Sequence, residues 1–147
     1  MSTAISDETA VRNLISSYAH AADDGDGDAL AELFVDGGDG IQSLGLSIKG
    51  TDKLAALIKG IYDANLKHLQ INSVIDIDGD TASAVSDLVV QAVVPDAGWQ
   101  TIAQGRYHDD MVRKVGRWQF VKREIVWHRA TPSEVADQLR ELMAGGA

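Results

Sequence analysis

Residues 68–94 read HLQINSVIDIDGDTASAVSDLVVQAVV, and this stretch decides the fold. Just before it, Leu54, Leu57, Ile58 and Ile61 recur every three or four positions, the period of a helix with one apolar face. From His68 onward the period drops to two. Leu69, Ile71, Ser73, Ile75 and Ile77 alternate with His68, Gln70, Asn72, Val74 and Asp76. That alternation predicts a half-buried strand, with the set containing Leu69 and Ile71 on its apolar side and His68 on its polar side. Asp78-Gly79-Asp80 is a hairpin signal, and a long strand follows over roughly Thr81 to Val94. A turn at Pro95 to Gly98 leads to a strand from Trp99 to about Arg113. A turn at Gly116 then gives a last strand from Trp118 to His128.

Upstream the chain is helical. Val11, Leu14, Ile15, Tyr18 and Ala22 keep helical spacing, Ser6 is placed as the N-cap, and Asp7 and Glu8 suit the positive end of the helix dipole. Gly25 ends this helix after Asp23 or Asp24. A second helix is expected over Asp28 to Val35, then a turn at Gly37, Gly38 and Gly40 into a short strand near Ile41, and a third helix from Thr51. Thr131-Pro132-Ser133-Glu134 forms a capping box with proline at the first helical position, which predicts a closing helix from Pro132 to about Met143. Helices followed by consecutive long hairpins imply one α+β domain over 1–147, with helices on one face of an antiparallel sheet. A doubly wound nucleotide fold lacks its alternating strand–helix pattern here.

Charge and composition narrow the partners. The formal net charge is −9, from 22 acidic against 13 basic residues, which repels nucleic acid and anionic membrane surfaces. The chain has no cysteine, so disulfides, thiolate nucleophiles and cysteine-ligated metals are excluded. Met1 to Ser6 lacks the basic and apolar regions of a signal peptide, and Leu88 to Val94 is too short to cross a bilayer. A soluble cytoplasmic protein is the expectation.

Several segments in this order resemble one family. Tyr18-Ala-His-Ala-Ala-Asp-Asp-Gly-Asp26 followed by Leu30-Ala-Glu-Leu-Phe34 is similar to the first two helices of SnoaL-like proteins of the nuclear transport factor 2-like superfamily. His68-Leu-Gln-Ile-Asn72 running into Asp78-Gly-Asp80 fits the same pattern, as does Gly105-Arg-Tyr-His-Asp109 before Gly116-Arg-Trp-Gln-Phe120. The resemblance spans about Asp7 to Trp127. It implies a cone-shaped α+β barrel, a curved mixed or antiparallel sheet whose N-terminal helices enclose a pocket, and homodimers or larger homo-oligomers formed through the outer sheet surface. The superfamily includes dehydratases, isomerases, polyketide cyclases and proteins without catalysis, so function has to be argued from the site.

The resemblance also implies which residues meet. Asp23 at the end of the first helix and His68 at the start of the long strand come together in the pocket, as in scytalone dehydratase, bile-acid dehydratase and hexachlorocyclohexane dehydrochlorinase. A carboxylate beside an imidazole fixes its tautomer and stabilises the imidazolium once the ring has taken a proton. Tyr18 resembles a tyrosine that hydrogen-bonds substrate oxygen, and Arg123 an arginine that stabilises a leaving anion. Where steroid isomerases carry their base aspartate this chain has Gln42, and where scytalone dehydratase carries a second histidine it has Gly105, with His108 nearby.

Each residue has a second reading. Asp23 lies in an acidic run with Asp24, Asp26 and Asp28 and fits a solvated helix end. His68 fits an exposed strand edge, and Tyr18 a core position. Arg123 fits either a surface ion pair or, by its parity with Val121, Ile125 and Trp127, the apolar face. The acidic run departs from a calcium loop at Ala29 and Val35, and His20, His108 and His128 lack metal-ligand spacing. Together these residues point to a cofactor-independent, metal-free lyase. It would remove water or halide from a small, mostly apolar organic molecule, with His68, Asp23, Tyr18 and Arg123 carrying the chemistry. A polyketide or terpenoid cyclase or isomerase uses the same pocket, and a non-catalytic ligand-binding or assembly module is the alternative from another class.

Overall fold

The computed structural model describes residues 4–128 and residue 141. The expected closing helix from Pro132 lies, but for Glu141, outside the described residues. Helix α1 spans Asp7–Asp24, with the Ser6 hydroxyl accepting from the Thr9 N–H at its start. Gly25 ends it in the left-handed conformation, where a Cβ would also collide with the Tyr62 ring at 2.8 Å. Helix α2 is shorter than the sequence predicts, Gly27–Glu32, because Phe34 bridges to Phe120 and the Val35 N–H donates to the Phe120 carbonyl. Strand pairing with the far end of the chain thus overrides helix continuation. Strands β1 (Gly40–Ser43) and β2 (Leu46–Ile48) form a small hairpin before helix α3 (Thr51–Asp63). β2 is an element the sequence reading does not contain.

The four long strands are β3 (Leu66–Asp78), β4 (Thr81–Val94), β5 (Gly98–Lys114) and β6 (Arg117–Trp127). With β1 and β2 they make one curved sheet in the order β2-β1-β6-β5-β4-β3. All neighbours are antiparallel except β1 and β6, which run parallel. The sheet does not close on itself. β2 and β3 are its edges, and the apolar faces of α1 and α3 fill the concave side with Val11, Leu14, Tyr18, Leu57 and Ile58. Among the described residues, no helix is long and apolar enough to cross a membrane.

One irregularity corrects the expected burial of β3. Its pairing with β4 slips between Ile71 and Val74, and Asn72 at the slip has φ of +54°. The extra residue exchanges the two faces of the strand. Past the bulge Ser73, Ile75 and Ile77 face inward as the alternation predicts. Before it Leu66, His68 and Gln70 face inward, leaving Leu69 and Ile71 exposed by 39% and 49%. Histidine 68 therefore enters the interior because of a bulge four residues further along.

Candidate active site

Asp23 stands in the last turn of α1, where a carboxylate meets the negative end of the helix dipole. Three donors offset that cost. The His68 backbone N–H reaches both carboxylate oxygens, at 3.1 and 3.2 Å. It is free to do so because β3 is an edge strand. The His68 ring Nδ1 lies 2.7 Å from Oδ1, and the Lys67 ammonium 3.1 Å from Oδ2. Both acid and ring are buried, while Lys67 remains half exposed. Burial pushes the Asp23 carboxyl up, but the hydrogen bond and charge of His68, with Lys67 and the backbone N–H, outweigh it and hold the group below its ordinary value. In the neutral ring the Nδ1 proton is then donated to Asp23, and Nε2 carries the free lone pair. Among the described residues Nε2 has no hydrogen-bond partner.

His68 borders a cavity of about 40 Å³ between the helices and the concave face of the sheet. Leu57 and Ile61 of α3, Ile41 of β1, Leu66 of β3, Val90 of β4 and Ile125 of β6 make its walls apolar, and the aromatic rings of Tyr18, Tyr107 and Trp127 complete them. Trp127 lies against Gly105, where an added Cβ would come within 3.3 Å of its ring, and its indole N–H donates to Ser43 Oγ at 2.9 Å. That leaves the His68 ring as the ionisable group on an otherwise largely hydrocarbon wall, with the Tyr107 hydroxyl donating to that of Tyr18. A cavity of this size holds a few waters. A ring-sized guest needs the walls to give way.

Arg123 is inside the protein, which removes its surface reading, yet it does not border the cavity. Its Nε and Nη2 bind the two oxygens of Asp109 at 2.8 and 2.7 Å, with neither side chain exposed. The guanidinium stacks on Tyr107 at 3.9 Å, Tyr18 at 4.2 Å and Phe120 at 4.5 Å. A bulge between Asp110 and Met111 brings Asp109 opposite Arg123 in the β5–β6 pair. The structure thus sets two of the four expected residues, Tyr18 and His68, on the cavity wall, with Asp23 reaching it only through the His68 ring and Arg123 packed behind Tyr18 and Tyr107. Sequence reasoning missed Tyr107, Asp109 and Lys67. His108 is exposed on the opposite face from Tyr107, away from the place a second pocket histidine would take.

The family model of the SnoaL-like domain matches residues 3–124. Among solved structures, a variant of Rv3472, a protein of unknown function from Mycobacterium tuberculosis, superposes with a TM-score of 0.83 at 22% identity, over 95% of this chain and 88% of that one. An NTF2-like protein with a cystatin-like fold from Novosphingobium aromaticivorans is 27% identical, with a TM-score of 0.76 over 90% of this chain and 88% of its own. A proposed scytalone dehydratase from the same species is 22% identical, with a TM-score of 0.71 over 82% and 83%. No curated protein sequence matches the chain.

Proposed function

The chain belongs to the SnoaL-like domain family, and from that premise we propose that it is a lyase that removes water or another small leaving group from a small, largely apolar organic molecule. The observation that carries this reading is the buried contact of 2.7 Å between Asp23 and a His68 ring that borders an apolar cavity. His68 Nε2 takes a proton from carbon, and Asp23 stabilises the imidazolium that forms. The electron pair of the broken C–H bond becomes the new double bond as the C–O bond breaks, and the departing hydroxyl leaves as water with the imidazolium proton. The reaction moves one proton and one leaving group, so neither a redox group nor a metal is required by its balance. A proposed scytalone dehydratase shares the fold, so the fold is compatible with elimination. Returning the proton to a different carbon would make the same dyad an isomerase.

A general probe tests the base without the natural substrate. 5-Nitrobenzisoxazole opens when a base removes its ring C–H proton, giving a coloured cyanonitrophenolate. The wild type should turn it over, and His68→Ala should lose roughly 10²–10⁴-fold. Equal turnover by both proteins would sink the base assignment.

The outer face of the sheet favours a homodimer as the working unit. Leu69, Ile71 and Val74 of β3 stand exposed, in register with Val89, Asp87 and Val85 of β4, and Val126 of β6 is exposed as well. Such an apolar face around the Asp87–Arg106 ion pair suits a second copy of itself. Sedimentation should give a dimer in wild type and a monomer in Leu69→Glu with Ile71→Lys. A monomeric wild type ends this part of the proposal.

A further inference from the structure

Lys67 stands on β3 between the inward-facing Leu66 and His68, so its side chain starts on the outer face of the sheet. Its ammonium nevertheless lies 3.1 Å from Oδ2 of Asp23, at the end of α1. A long side chain can make that turn because β3 is an edge strand with no neighbour beyond it. Asp23 is thereby held from two sides. The His68 ring occupies Oδ1 at 2.7 Å and the Lys67 ammonium occupies Oδ2, while the His68 backbone N–H spans both oxygens. The ring and the carboxylate are buried, and the ammonium is half exposed.

This arrangement changes what the carboxylate can do for the ring. With the ring neutral, Asp23 and Lys67 balance each other's charge. Once Nε2 takes a proton, two cations share one carboxylate, and the imidazolium gains less from Asp23 than from a carboxylate of its own. We propose that Lys67 is a positioning residue that sets the strength of His68 as a base. It keeps the ring unprotonated, with the Nε2 lone pair available, further into acid than Asp23 alone would allow. Burial works against the Asp23 charge, but His68, and after it Lys67, hold the group ionised, so the two cations compete for a charge that is present. The other surroundings leave that competition undisturbed. Among the described residues α3, β1, β4 and β6 bring no titratable side chain to the cavity wall. Tyr18 of α1 and Tyr107 of β5 face it as phenols that burial keeps protonated, and behind them Arg123 and Asp109 form a closed pair. Asp24, the next acid along α1, is exposed. The consequence for turnover rests on the reading of His68 as the base, whereas the titration of the ring rests on these contacts alone.

Proton NMR of the full chain reads the titration of His68, assigned among the four histidines by the signal that His68→Gln removes. Lys67→Met should move the His68 midpoint up by roughly 0.5–1 pH unit, the effect of one charge several ångströms away near a surface. Should Lys67→Met not fold, Lys67→Gln removes the same charge. Lys67→Arg, which keeps the charge, should titrate like wild type. Lys114→Met removes an exposed charge at the far end of β5 and should also leave His68 in place. In an Asp23→Asn background Lys67→Met should shift the midpoint far less, because nothing then holds the ammonium beside the ring. An unmoved midpoint in Lys67→Met overturns the proposal. So does a Lys67→Arg shift as large as that of Lys67→Met, or an equal shift with and without Asp23. The benzisoxazole reaction gives a second readout. Its acid limb should move with the midpoint, so Lys67→Met should lose roughly three- to tenfold in turnover below it and nothing on the alkaline plateau. Structural damage would lower the whole profile without moving that limb. A shifted midpoint in a chain that does not turn the probe over would remove the base and keep the tuning. Turnover that depends on His68, with an unmoved midpoint, would keep the base and remove the tuning.

Discussion

Asp109 faces Arg123 across the β5–β6 pair and takes its guanidinium with both oxygens, at 2.8 and 2.7 Å, in a place that no solvent reaches. Removing one partner strands the other charge in the core, a loss of about 3–5 kcal/mol. Asp109→Ala should lower the unfolding free energy by that amount in urea titration. Asp109→Leu combined with Arg123→Met removes both charges, so the double variant should be much less destabilised than the two single changes added together. A small effect of Asp109→Ala alone would mean that the pair is solvated.

Asp23 acts on His68 through Nδ1, so its removal should be visible in the ring before any reaction is assayed. Nitrogen NMR should find the neutral ring protonated on Nδ1 in wild type and a mixture of tautomers in Asp23→Asn, whose amide can present either a donor or an acceptor. Turnover of the benzisoxazole probe should fall by roughly 10²-fold in the same variant. An unchanged tautomer would show that Asp23 does not orient the ring.

The depressed Asp23 carboxyl has a consequence for stability in acid. A carboxyl that holds its proton less tightly when folded stabilises the protein above its unfolded value, near 3.8. That contribution is lost as pH falls through the lower folded value, because the unfolded chain then binds more protons. Denaturation from about pH 5 down to pH 2 should find the stability of wild type falling more steeply than that of Asp23→Asn. Parallel curves would mean that the carboxyl is not depressed in the folded protein.

Much of this architecture is legible in the residues; the shortened α2 and the unexpected β2 turn on tertiary pairing, while the misses that shape the site share one cause. The limits of α1 follow from Ser6 and Gly25, and β4 spans the Thr81–Val94 expected between the Asp78-Gly79-Asp80 hairpin and the Pro95–Gly98 turn. Reading a period of two assumes an unbroken pleat, however, and of the three slips in the ladders two fall where the site is built. Counting back from the Val115-Gly116 turn without a bulge pairs Asp109 with Lys122, and the slip after Asp110 moves it to Arg123. The other slip, at Asn72, reverses which half of β3 is apolar inside. The Tyr18, Asp23 and His68 site was reached through the order of motifs along the chain. The Tyr107 and Asp109 layer lies on the same parity as Gly105 in Gly105-Arg-Tyr-His-Asp109, and an acid on the apolar parity of that strand is the sequence signal for it.

Asn72 is where that dependence can be tested. Its φ of +54° suits asparagine or glycine, and its side-chain amide donates to Asp87 Oδ2 at 2.9 Å. Asn72→Gly gives up only the hydrogen bond, so it should cost about 1 kcal/mol and leave turnover nearly intact. Asn72→Val adds a β-branched side chain in a left-handed conformation, a further strain of about 1–2 kcal/mol. The strand can relieve that strain by giving up the bulge, which would turn His68 outward and Leu69 inward. Asn72→Val should therefore lose stability and benzisoxazole turnover together, and His68 amide exchange should rise as its bond to Asp23 is lost. If Asn72→Val matches Asn72→Gly in all three measurements, the bulge is not what delivers His68 to the cavity.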